Sequence, residues 1–113
     1  MRALLADEFE ATWPQSKERI VGADNFIEVN RRYPGEHKIK VLNIMSEYDQ
    51  WELEFAVTTQ VYIESIMPNS KEMKLFAVSF FELNSGGLIK SATEFWADTY
   101  DPPEWRQNLV QRY

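Results

Sequence analysis

From Trp51 to Glu64 the chain alternates without a break. Leu53, Phe55, Val57, Thr59, Val61 and Ile63 fall on one face, and Glu52, Glu54, Ala56, Thr58, Gln60, Tyr62 and Glu64 on the other. A period of two predicts a strand with one face turned to a core and the other partly wet. Three more long strands follow from the same pattern: His37 to Ser46, Lys71 to Asn84, and Leu88 to Tyr100. Glu47-Tyr48-Asp49-Gln50 reads as the first turn, Ser65 to Ser70 with Pro68 and Asn69 as a loop, and Gly86-Gly87 as the centre of the last hairpin.

The first third of the chain is different. Residues 1–8 read as the tail of a helix, too short to stand alone. Phe9 to Trp13 alternates as a short strand and stops at Pro14, which has no N–H to give a ladder. Gln15-Ser16-Lys17-Glu18 is a polar turn, and Arg19-Ile20-Val21 returns as a partner strand. Gly22 then opens a helix over about Ala23 to Tyr33, with Asp24 in its first turn and Arg31 and Arg32 in its last, as the helix dipole prefers. Ala23, Phe26, Ile27 and Asn30 share one face, so a single amide sits in an apolar stripe. At the far end Asp101-Pro102-Pro103 breaks the sheet and starts a short helix that aligns Trp105 with Leu109. Helices segregated to one face of a curved antiparallel sheet define an α+β fold, expected as one domain over residues 1–113.

Composition narrows the function. The chain has 113 residues, 44% of them hydrophobic, enough for one core. Aromatics make up 14%, with four Trp and seven Phe, residues that fill cores and also line apolar cavities. The net charge of −6, with no basic cluster, argues against nucleic-acid binding. The absence of cysteine excludes disulfides, thiol nucleophiles and thiolate metal sites. Acids at Asp7 and Glu8 interrupt any signal-peptide core, and no apolar run approaches the roughly 20 residues of a membrane helix. A cytoplasmic protein without membrane or nucleic-acid partners is the expectation.

Several segments in this order carry a resemblance. Leu5-Ala6-Asp7-Glu8-Phe9 runs into Trp13-Pro14, and Glu18-Arg19-Ile20-Val21-Gly22 precedes a helix ending Tyr33-Pro34-Gly35. The hairpin Phe81-Glu82-Leu83-Asn84-Ser85-Gly86-Gly87-Leu88-Ile89 leads to the strand Glu94-Phe95-Trp96-Ala97-Asp98. Together these span nearly the whole chain, which resembles the nuclear transport factor 2-like superfamily and, within it, the SnoaL-like branch. The resemblance implies a cone-shaped α+β barrel, a strongly curved antiparallel sheet wrapped around helices, and homodimerisation through the outer sheet face. Members usually begin with a long helix that closes one side of the cone. Here only about Met1 to Ala6 matches it, so that helix is expected to be shortened or missing.

The family includes ketosteroid isomerase, polyketide cyclases, epoxide hydrolases, dehydratases and non-catalytic binding modules, and fold alone does not choose among them. By alignment on the hairpin, the isomerase's proton-shuttling aspartate falls at Trp13 and its oxyanion-hole aspartate at Ser79. Its tyrosine belongs to the helix without a counterpart here. Steroid isomerisation by that route is therefore unsupported. The cyclase branch shows a His-Trp-Asp run on the last strand, which aligns with Ala92, Thr93 and Glu94. The histidine is lost and the acid is kept.

Glu94 is thus the candidate catalytic residue. Facing a cavity beside Trp96 and Phe81, it would be poised as a general acid or base. Held by an arginine or a hydroxyl, it would be structural instead. Trp13 and Trp96 are candidate cavity walls, as a stacking surface for a flat ligand or as rings that fill the cone. Asn30 is a candidate for a ligand's polar group, though buried amides mostly bond to protein. Ser79 adds a hydroxyl, without a neighbouring histidine in sequence to make it a nucleophile. His37, the only histidine, reads as a solvated strand-end residue and not a metal ligand. Glu52, Glu54 and Glu64 read as outer surface. No phosphate-cradling glycine loop, dinucleotide fingerprint or zinc motif occurs, so no cofactor or metal is expected.

The expected function is binding of a small apolar or aromatic organic molecule in a cavity lined by Trp13, Phe26, Phe81, Glu94 and Trp96, with Asn30 and Ser79 contributing polar groups. One alternative is a cofactor-independent cyclase, isomerase or hydratase that uses Glu94 as general acid/base. The other is a structural dimerisation module with a filled cone and an apolar outer patch near Trp51, Tyr62 or Trp105.

Overall fold

A computed structural model describes residues 2–113. A turn of 3-10 helix, Arg2–Leu4, leads into β1 (Leu5–Trp13), β2 (Glu18–Val21) and the helix α1 (Ala23–Arg32). Four long strands follow: β3 (Glu36–Asp49), β4 (Glu54–Ile66), β5 (Glu72–Leu83) and β6 (Ile89–Asp98), with a last 3-10 turn at Glu104–Arg106. All six strands form one curved, unclosed sheet in the order β2-β1-β6-β5-β4-β3. The α+β class and the wrapped sheet are those expected from the sequence.

Three details differ from the sequence expectation. Residues 5–8 are strand, not helix; Met1, the first residue of the expected helix tail, lies outside the described residues. Burial explains the switch, because Leu5, Ala6, Phe9 and Ala11 are all buried along β1. Arg2 anchors the entry by donating to Asp24 Oδ1 at 2.9 Å and to the Leu5 carbonyl at 3.1 Å, and it also pairs with Asp7. The sheet is also not wholly antiparallel: β1 runs parallel to β6, with Ala11 opposite Ala92. Two alanines in register allow a close approach under the helix.

The third difference is the β3–β4 hairpin. β3 continues through the expected turn to Asp49, which pairs with Glu54, so the strand expected from Trp51 begins at Glu54. The Asp49 carboxylate sets the tip by accepting the backbone N–H groups of Trp51 at 2.8 Å and Glu52 at 3.1 Å. Near the chain end the short helix is the single 3-10 turn Glu104–Arg106, which does not reach Leu109, and Trp105 and Leu109 are both exposed.

The core is concentrated at one end. Leu5, Phe9, Ala11, Ile20, Ala23, Phe26 and Ala92 form it, with Trp13, Ile27, Phe81 and Ile89 packed on its margin. Phe9 is fully buried and its ring lies 4.8 Å from that of Phe26. Helix α1 packs mainly on this end, against β1, β2 and the first 3-10 turn. β3 and β4 extend beyond it as a wing, and Ile39, Val41 and Ile44 of β3 are exposed. The radius of gyration reflects that wing: 16.8 Å, against about 13 Å for a compact domain of this length. An extra residue at Leu42, between Val41 and Asn43, bulges β3 and adds to the curl.

Candidate functional site

The site follows from alternation along β6. Ala92, Glu94 and Trp96 point to the face that α1 covers, but only Ala92 lies under the core. Beyond it the floor opens. Ser79 of β5 is paired directly with Glu94, and the small Ala77 with Trp96. On the other flank β1 ends at Trp13, one residue past the Thr12–Thr93 pair, which sets its indole beside Glu94.

Two hydrogen bonds fix the carboxylate. The Ser79 hydroxyl donates to Glu94 Oε2 at 2.8 Å, and the Trp13 indole N–H donates to Oε1 at 3.1 Å. Among the described residues Glu94 makes no ion pair; neutral donors hold it, and the Ser79 hydroxyl among them is the holding group that the structural alternative for Glu94 expected. Trp13 and Trp96 meet edge to face, with centroids 5.3 Å apart and planes at 89°, a favoured arrangement for two rings. The Gln15 side chain from the Pro14 turn accepts the Trp96 backbone N–H at 2.5 Å, clipping that loop to β6.

These groups form one wall of a hollow of about 390 Å³. Val29 and Asn30 overhang it from α1 and Tyr33 from just past the helix, while Ile39, Ile63, Leu75 and Ala77 make its apolar floor and His37 and Ser65 its far side. Of the residues singled out from sequence, Trp13, Asn30, Glu94 and Trp96 line the hollow, and Ser79 lies buried behind Glu94. Phe26 and Phe81 are placed elsewhere: Phe26 is a core residue against Phe9, and Phe81 packs on the margin of that core. Asn30 turns its Nδ2 back to the Phe26 carbonyl at 2.8 Å, leaving its oxygen as the group to offer.

His37 is the residue that sequence reasoning missed. It pairs with Ser65 across β3 and β4, and its Nδ1 lies 2.6 Å from the buried Ser65 hydroxyl. The Tyr33 ring stacks over the imidazole at 4.7 Å. His37 Nε2 is buried without a partner. The signal was available in the alternation, since His37 and Ile39 share the parity that faces Ile63 and Ser65. Its nearness to the Pro34-Gly35 break suggested a wet strand end instead.

A second, wide-open basin of about 690 Å³ lies at the β3–β4 tip, among Glu47, Asp49, Glu52, Glu54, Glu82 and Lys90. Lys90 bridges Glu54 at 2.7 Å and approaches Glu82 at 3.9 Å. The Glu54 hydrogen bond raises the Lys90 pKa above its ordinary value. Among the described residues no group of three His, Asp or Glu side chains is placed to hold a metal ion. No helix is long and apolar enough to cross a membrane.

No family model matches the chain, and no curated protein does. Solved structures do. A "putative ketosteroid isomerase" from Kribbella flavida is 28% identical, with a TM-score of 0.78 over 99% of this chain and 74% of the other. An NTF-2 like protein of unknown function from Burkholderia xenovorans is 25% identical, with a TM-score of 0.72 over 99% of this chain and 79% of the other. The Orange Carotenoid Protein of Anabaena, solved binding canthaxanthin, shares the fold at 17% identity and a TM-score of 0.64, over 96% of this chain and 33% of the other. In fold, the chain is similar to nuclear transport factor 2-like proteins of the ketosteroid isomerase-like kind.

Proposed function

We propose that the protein is a cytoplasmic binding protein for a small, mostly apolar or aromatic molecule, seated between the Trp13 and Trp96 indoles with a polar group at Glu94. The observation that carries this reading is the Trp13–Glu94–Ser79 arrangement on the wall of the hollow. Each carboxylate oxygen receives one donor and keeps a second lone pair for a ligand hydroxyl or N–H. The surrounding wall is aromatic and aliphatic, the usual make-up of a site with one orienting group. The Orange Carotenoid Protein, which shares this fold over 33% of its chain, was solved binding canthaxanthin, and that is consistent with an apolar guest here.

The test uses 2-naphthol, a flat ring system with one donor. Wild type should bind it, and Trp96→Ala should weaken binding about tenfold. Equal affinity in the two proteins would place any bound naphthol elsewhere.

The alternative of a cofactor-independent cyclase, isomerase or hydratase keeps one point in its favour. Glu94 has no cationic partner and borders the hollow, so its carboxylate is free to exchange a proton with a guest. Turnover abolished in Glu94→Gln, with binding retained, would favour catalysis over binding alone.

The proposed partner is a second copy of this chain, docked through the outer sheet face. That face carries Phe76, Phe80 and Phe95, each exposed by 39% or more. They are arranged in close pairs, Tyr62 with Phe76 at 5.1 Å and Phe80 with Phe95 at 6.3 Å. An apolar patch of aromatic rings on a sheet is the kind of surface a partner covers.

A further inference from the structure

The half-buried imidazole of His37 has one nitrogen with a partner and, among the described residues, one buried nitrogen without. Buried polar atoms are almost always satisfied, so an orphan needs a physical account. The hydrogen-bond inventory supplies it. Ser65 is buried, and its hydroxyl makes no hydrogen bond except the one to His37 Nδ1. If Nδ1 carried the ring proton, the serine hydroxyl hydrogen would be left without an acceptor as well. Donation from Ser65 to Nδ1 uses that hydrogen and places the imidazole proton on Nε2. The unpartnered group is then an N–H donor.

We propose that His37 is the second polar anchor of the hollow, and that its Nε2–H receives a hydrogen-bond acceptor of the ligand, a carbonyl oxygen. This rests on the reading of that hollow as a binding site. The ligand class is sharpened accordingly: an apolar or aromatic body carrying a ketone, aldehyde or similar oxygen, with any donor group directed to Glu94. The floor between the two anchors is Ile39, Ile63, Leu75 and Ala77, which offer no side-chain hydrogen bond, so orientation falls to the two ends. Access to Nε2 runs past Tyr33. That ring stacks on the imidazole, is itself half-exposed, and belongs to the residue just past the last turn of α1.

Ring 15N chemical shifts of His37, recorded at pH 8.5 without ligand, test the tautomer directly. Protonated Nε2 is expected. A proton on Nδ1 would overturn the proposal, because the orphan would then be an acceptor. Ligand preference is tested with 1-tetralone and tetralin, which differ by one carbonyl, followed through the Trp13 and Trp96 indole N–H signals. In wild type the ketone should gain affinity over the hydrocarbon. In His37→Phe/Ser65→Ala, which keeps an aromatic ring and removes the serine that would be stranded, that gain should shrink about fivefold to tenfold. Melting temperature and circular dichroism would show that the double variant is folded. As a second variant, Ser65→Ala alone should also reduce the ketone's gain while leaving tetralin unchanged.

An undiminished ketone gain in both variants would overturn the role of His37 and leave the binding site standing. Tetralin and tetralone both failing to move the two indoles of wild type would overturn the binding site, and this proposal with it.

Discussion

Trp13 and Glu94 lie 81 residues apart in the chain and are joined by a hydrogen bond of 3.1 Å from the indole N–H to the carboxylate. The contact links the end of β1 to the middle of β6, across the one parallel pairing in the sheet. It also fixes the angle of an aromatic wall to the acid beside it. Removing the acid should be felt at both donors. Glu94→Ala strands the Ser79 hydroxyl and the Trp13 N–H, and should cost about 2 kcal/mol of stability. Glu94→Gln keeps an acceptor and should cost about 1 kcal/mol or less. Urea unfolding of both variants checks the order.

Gly35 should be far less replaceable than Gly87. Both have positive φ, +95° and +80°, but a Cβ on Gly35 would lie 2.6 Å from the Ile66 carbonyl oxygen, whereas one on Gly87 meets nothing within 4 Å. Gly87→Ala should therefore cost only backbone strain, about 1 kcal/mol. Gly35→Ala adds a clash with the β4 backbone and should cost at least about 2 kcal/mol. Thermal melts of the two variants measure the difference.

The helix carries its own titration. Glu28 accepts hydrogen bonds from Arg31 and Arg32, which pull its pKa down from 4.5 to about 2. A depressed carboxylate stabilises the fold above its unfolded pKa, and that contribution is lost as pH falls through about 2. The pairs are exposed, so salt should weaken them. NMR titration of Glu28 should give a low midpoint that rises in 0.5 M NaCl. A midpoint near 4.5 at low salt would count against the pairing.

Phe80→Glu places a charge in the centre of the outer aromatic face. Sedimentation should show wild type as a dimer and the variant as a monomer with an unchanged circular dichroism spectrum. A monomeric wild type would end the proposal for that face.

The alternation of β4, the Gly-Gly hairpin and the helix bounded by Gly22 and Pro34-Gly35 made most of the fold readable from sequence, because each is a local pattern. The Ser79–Glu94 pairing was not stated from sequence, and a register shift between Glu82 and Leu83 separates it from the turn. What stayed hidden is long-range. Nothing local says that residues 5–8 leave a helix for a strand; the decision lies in burial of Leu5 and Phe9 against α1 and in Ala11 meeting Ala92. Phe26 and Phe81 were read as cavity wall from their faces alone, yet position along the strand and helix decides between core and hollow. His37 was obscured by distance along the chain: its partner, Ser65, lies 28 residues on at the far end of the next strand, and only the β3–β4 register joins them.

In the proposed binding mode the hollow between α1 and the sheet receives an aromatic guest against Trp13 and Trp96. The chain contains its own control, because Trp51 and Trp105 are 88% and 75% exposed and lie outside that hollow. Titration of 15N-labelled protein with 2-naphthol, following the four indole N–H signals, tests it most directly. Saturable shifts at Trp13 and Trp96, with Trp51 and Trp105 unmoved, are the predicted result. Equal movement at all four indoles, or movement at Trp51 and Trp105 alone, would contradict it.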